Sequence, residues 1–162
     1  MAIKKSVYTL ITLVFFLTLL ALIYGQGSKV NFFLISNDLD DIKHNPLNAQ
    51  ISSCEPVALV YHSDIAKEPG LEAALNALFK DKHNHRNGKK NPLRESNLLA
   101  RVKQGETISI YLHGQITPIS ECEEDLIIEQ IKATIGLYLS SKPYIVYLNG
   151  EPFDFTQAVK QK

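Results

Sequence analysis

Eighteen consecutive residues, 7–24, read VYTLITLVFFLTLLALIY and contain no charge, no proline and no glycine. No other feature of the chain restricts its folding so strongly. As a helix the run reaches roughly 27 Å, close to the hydrocarbon thickness of a bilayer. A helix is also the one local structure that satisfies all its own backbone groups in lipid. Lys4 and Lys5 precede the run and no basic residue interrupts it. The positive-inside rule therefore places the N-terminus in the cytoplasm and everything after residue 24 outside. Tyr8 and Tyr24 lie near the two ends, where interfacial aromatics sit. The competing reading is a cleaved signal peptide, whose apolar region is shorter and ends in a small-x-small site. The stretch Ile23-Tyr24-Gly25-Gln26-Gly27-Ser28 has no such pattern and no cysteine to accept a lipid. Residues 1–28 are thus expected to be a cytoplasmic stub, a transmembrane anchor (7–24) and a linker. Either reading exports the remainder.

Of the 162 residues, about 130 follow the anchor, enough for one modest core and too few for two. The 17 basic and 17 acidic residues balance, and a nucleic-acid binder ordinarily shows a basic excess on one face. Residues 30–35, 56–61, 98–102, 107–112 and 144–148 are rich in β-formers and are expected to be strands. Ile108, Ile110 and Leu112 alternate with Thr107, Ser109 and Tyr111, so one face of that strand is apolar. Leu71, Leu75, Leu78 and Phe79 recur at helical spacing, with Glu72 and Lys80 placed to suit the helix dipole. The clearest helix covers 123–139, where Ile127, Ile128, Ile131, Ile135 and Tyr138 form one stripe. Residues 37–48 and 82–91 are polar and are expected to be exposed loops. The order predicts an α+β domain over 29–155, its mixed or antiparallel sheet packed by two helices, and a polar tail over 156–162.

Cys54 and Cys122 are the only thiols. Outside the cytoplasm, two thiols in a small domain ordinarily oxidise, so a Cys54–Cys122 disulfide is expected. The rival is a redox thiol at Cys122, whose place at a helix start lowers a thiol pKa. There is no C-x-x-C to support it.

The exported part resembles the GerMN domain, a family named for a spore-germination protein and present in many bacterial envelope proteins. The likeness rests on the strand 30–35, the turn and strand Ser53-Cys54-Glu55-Pro56-Val57-Ala58-Leu59-Val60, and the helix Leu71-Glu72-Ala73-Ala74-Leu75-Asn76-Ala77-Leu78. The paired strands 98–112 follow. Then come Glu129-Gln130-Ile131-Lys132-Ala133-Thr134 and Tyr144-Ile145-Val146-Tyr147-Leu148-Asn149-Gly150, all in the family's order. Some members carry cysteines at the positions of Cys54 and Cys122. Two stretches depart from the family: residues 80–92, KDKHNHRNGKKNP, and Leu112-His113-Gly114-Gln115. The resemblance implies a ring-building-type α+β fold with no known enzymatic activity. It also implies that the domain works as an interaction and assembly module, with other envelope proteins or by self-association.

Candidate chemistry is sparse. His83 and His85 have a spacing that chelates Zn²⁺ only weakly without a third ligand, and H-E-x-x-H is absent. There is no G-x-S-x-G elbow. Asp38, Asp40 and Asp41 do not form a calcium loop. Glu121, Glu123, Glu124 and Asp125 suit a helix N-terminus and are expected to be solvated. No catalytic, cofactor or metal residues are therefore assigned. Lys82, Arg86, Lys89, Lys90 and Arg94 form the one candidate patch for an anionic partner, polymer or phospholipid headgroup. The rival class of function is a cell-wall or periplasmic hydrolase whose residues come together only on folding.

Overall fold

A computed structural model of the chain describes residues 11–18, 27–44, 57–82, 88–118 and 120–154. Residues 11–18 are helical and exposed, and the rest of the apolar run lies outside the described residues. No helix among the described residues is long and apolar enough to cross a membrane. Arg86, His83, His85, Cys54 and the tail 156–162 also lie outside them.

The domain has the expected α+β character, but it contains two sheets where the element order suggested one. The first is antiparallel: β1 (Ser28–Ser36) runs between β2 (Ala58–Ala66) and the two-residue β3 (Lys89–Lys90). The second has the order β4 (Asn97–Lys103), β5 (Ile108–Gln115), β6 (Tyr144–Leu148) and β7 (Glu151–Pro152). In it β5 and β6 are parallel and the other neighbours antiparallel. A parallel pair needs a long crossover, and the 19-residue helix Glu121–Leu139 supplies it. Ser120 caps that helix, its Oγ accepting from Glu123 N at 3.3 Å. Pro143 follows its end.

Two further helices of the domain precede it. The short α1 (Leu39–His44) lies within the stretch 37–48 that was expected to be a loop. Its start is built by Asp38, whose Oδ1 accepts from Asp40 N at 2.8 Å and whose carbonyl accepts from Ile42 N at 3.0 Å. Asp41, in the first turn, accepts from Ser36 Oγ at 2.6 Å. Asp38, read as loop polarity, is thus a capping group. The next helix, α2 (Leu71–Lys80), buries Leu71, Ala74, Leu75, Leu78 and Phe79, the stripe read from its spacing. The long helix, α3, buries Ile127, Ile128, Ile131 and Ile135. These meet Phe32, Leu34, Ile110 and Leu112 from the two sheets in one core. Each such side chain contributes about 1.5–3 kcal/mol on burial.

The segment expected as an exposed loop at 82–91 also differs. It ends in β3 and in Asn91, which is fully buried. Asn91 Nδ2 donates to Leu78 O at 2.8 Å and Asp81 O at 2.7 Å, while its Oδ1 accepts from Leu93 N at 3.1 Å. One short amide closes the end of α2 and opens the 3₁₀ turn Pro92–Glu95. Helix-terminal carbonyls need partners, and a buried Asn supplies both donors.

The sheets stay separate because helix side chains occupy the edges on which further strands would pair. On β1, Tyr138 Oη accepts from Asn31 N at 2.8 Å and donates to Asn31 O at 3.1 Å. Thr134 Oγ1 accepts from Phe33 N at 3.2 Å, and Gln130 Nε2 donates to Phe33 O at 2.8 Å. Residues 130, 134 and 138 are four apart, so they line one face of α3. The edge of β4 is treated the same way by α2. Asn76 exchanges two bonds with Ala100, at 2.8 and 3.0 Å, and Glu72 Oε2 accepts from Val102 N at 2.8 Å. Buried backbone groups require partners, and here helices provide them in place of a strand.

Candidate interaction surface

The four-stranded sheet has one face in the core and one face that no described element covers. Leu98, Ala100, Ile108, Ile110, Leu112 and Val146 point inward. Alternation then places Leu99, Arg101, Tyr111, His113, Ile145 and Tyr147 on the other side. The register sets Arg101, Tyr111, Tyr147 and Pro152 in one row across all four strands. The rings of Tyr111 and Tyr147 stack with centroids 5.0 Å apart and planes 13° apart. Leu99 and Ile145 flank this row and are each 44% exposed. Arg101 lies over the edge, its Nη1 3.0 Å from Glu72 Oε1. Aromatic and arginine side chains grouped on an uncovered sheet face are the composition of protein interfaces.

A groove of about 620 Å³ lies elsewhere, between β2 and α2. Phe32, Ala73 and Ala77 contribute apolar surface, while Asp64, Lys67, Glu68 and Lys80 bring charges of both signs. His62 lies in it with its ring 5.0 Å from that of Phe32. Its described lining offers no hydroxyl or thiol. The structure thus brings a histidine, carboxylates and lysines into one groove.

Of the candidate basic patch, Arg86 lies outside the described residues, and the four described members are held as follows. Arg94 Nη1 lies 3.3 Å from Glu123 Oε1, with both side chains about four-fifths buried, and Arg94 Nε lies 3.9 Å from Glu95 Oε1. Lys82 Nζ donates to Ser96 O. Lys89 and Lys90 pair as β3 with Ser36 and Ile35, leaving Lys90 exposed and Lys89 half-buried. Glu123, expected to be solvated, is the partner of Arg94 instead. The local reason is that Asn91 and the 3₁₀ turn fold Arg94 back onto the start of α3.

Cys122 is disulfide-bonded. Among the described residues no group of three or more His, Cys, Asp or Glu is placed to hold a metal ion. The residues that sequence reasoning missed are polar ones inside apolar stripes: Glu72, Asn76, Gln130 and Thr134. A detectable signal existed, since Gln130 and Thr134 interrupt the isoleucine face of α3 at helical spacing. Comparison with known protein families, with characterised proteins and with solved structures finds no match for this chain.

Proposed function

We propose that this chain is a membrane-anchored, extracytoplasmic GerMN-like domain that works as a non-catalytic interaction module of the bacterial cell envelope. The observation that carries the reading is the open sheet face with the row Arg101, Tyr111 and Tyr147 and the flanking Leu99 and Ile145. An uncovered aromatic and aliphatic face of this kind is a binding surface by composition and position. Two further points support the location. The apolar run 7–24 is long enough to span a bilayer. The disulfide at Cys122 fits an oxidising compartment, with Cys54 as the one other thiol in the sequence.

The test is photo-crosslinking in intact cells, with a photoreactive residue at Tyr147 and, as control, at the exposed Lys142. Discrete adducts with envelope proteins from position 147 and none from 142 are expected. Equal or absent adducts at both positions would remove the basis for the reading. Protease accessibility of the domain in intact protoplasts or spheroplasts checks its side of the membrane independently.

A further inference from the structure

We infer that the free edge of β2 pairs with β2 of a second copy of this chain, antiparallel about a two-fold axis through Ser63. The inference rests on the interaction-module reading and names one partner for it.

The argument begins with which backbone groups point outward. Directly opposite residues of an antiparallel pair either exchange hydrogen bonds or both face away from each other. Asn31 and Phe33 direct their backbone groups to Tyr138, Thr134 and Gln130 of α3, away from β2. Their opposites are Ser63 and Tyr61, so these two direct their own groups out of the far edge. Ile65 follows the same alternation. Its N–H is met by Asp64 Oδ1 of its own chain at 2.7 Å, as expected for an amide with no strand partner. No neighbouring strand lies on that side of β2 among the described residues.

The other edges are treated differently. The β1 edge is occupied by α3 and the β4 edge by α2. The β6 edge is covered by β7 and by Phe153, whose N donates to Val146 O at 2.8 Å. By contrast β2 is nine residues long and contains no proline, lysine or arginine. Those are among the devices by which proteins blunt an edge, and Asp64 is the strand's one charged residue. Its outward face carries Tyr61, 54% exposed, and Ile65, 70% exposed.

The identity of the occupant follows from the register. An axis through Ser63 sets Tyr61 opposite Ile65 of the second copy and His62 opposite its Asp64, each twice by symmetry. The two most exposed apolar groups of the strand then cover each other on one face. About six main-chain hydrogen bonds close the three outward-facing residues of each strand. An axis moved to Tyr61 or Ile65 sets that residue opposite its own copy and loses the Tyr61–Ile65 match. The result is one sheet running through both copies, the strand-addition mode of recognition.

The experiment uses the full chain in its membrane, oxidised with a mild catalyst and run on non-reducing gels. Ser63→Cys places its thiol on the axis, within disulfide reach of its symmetry mate. Tyr61→Cys and Ile65→Cys report the two shifted registers, and Lys142→Cys reports random collision. Dimer yield several-fold higher for Ser63→Cys than for the other three is expected. Adding Ile65→Lys to Ser63→Cys should lower it several-fold while leaving the thermal transition unchanged. Equal yields at all four positions, or Ser63→Cys linked to a different protein, would overturn the inference. Photo-crosslinking from Tyr147 in the Ser63→Cys chain, with Ile65 intact, separates the two readings. Retained adducts with no self-linkage at Ser63 refute the strand pairing alone, and lost adducts with intact self-linkage refute the open-face reading alone.

Discussion

Replacing Tyr138 by Phe removes one oxygen and leaves the ring in place. That oxygen serves both Asn31 N, at 2.8 Å, and Asn31 O, at 3.1 Å. Tyr138 is half-buried, so water can take over part of its role, and the expected loss is about 1–2 kcal/mol. Thr134→Val is the harsher companion. Thr134 is fully buried, and its Oγ1 accepts from Phe33 N at 3.2 Å while donating to Gln130 O at 2.8 Å. Valine keeps the shape and strands the Phe33 amide, at about 1–3 kcal/mol. For a domain of this size each kcal/mol moves the midpoint by about 3–5 °C, so thermal unfolding resolves both variants. Tyr61→Phe is the control. No hydrogen bond of the Tyr61 hydroxyl is found among the described residues, and its variant should stay within about 0.5 kcal/mol of the parent. Amide hydrogen exchange gives the local readout: Asn31 accelerates in Tyr138→Phe and Phe33 in Thr134→Val, ahead of the β1 amides that bond to β2. Losses below about 0.5 kcal/mol in both variants, or unchanged exchange at both amides, would refute the claim that α3 stands in for a strand.

Gly114 has φ +126°, and a Cβ there would lie 1.8 Å from Asn97 O, a backbone atom that cannot swing aside. Gly114→Ala should therefore cost several kcal/mol or abolish folding, read as the soluble yield and the urea midpoint. Asn76→Leu leaves the backbone groups of buried Ala100 unpaired on the β4 edge and should cost about 2–4 kcal/mol in urea unfolding. Arg94→Ala removes the ion pair to largely buried Glu123 and should destabilise by about 1–3 kcal/mol, whereas Lys90→Ala should be neutral. Reductant should lower stability by up to about 4 kcal/mol if Cys54 and Cys122 pair across their loop of about 70 residues. Peptide mass spectrometry with and without reductant checks that pairing, and free thiols at both positions would exclude it.

Periodicity alone determined the elements whose residues act on one scale. The 3.6-residue stripes of α2 and α3 and the alternation of β5 appear in the structure as read, because burial of one face dictates those patterns wherever the element sits. The caps Ser120 and Asp38 were not read from the pattern, and Asp38 was legible only as loop polarity. Charge and polarity were less informative. Arg94 and Lys82 belong to a basic stretch in the sequence, yet folding sets them against Glu123 and Ser96 O, contacts made across 29 and 14 residues. Asn91 reads as a loop residue and becomes a buried clamp, since its value lies in carbonyls that α2 directs toward it. The division into two sheets was also decided only in three dimensions. Local patterning states that a strand has an apolar face and says nothing about what meets its edge. That depended on Gln130, Thr134 and Tyr138 reaching β1, and on Glu72 and Asn76 reaching β4. The open edge of β2 and the open face around Tyr111 and Tyr147 are what those long-range choices left uncovered.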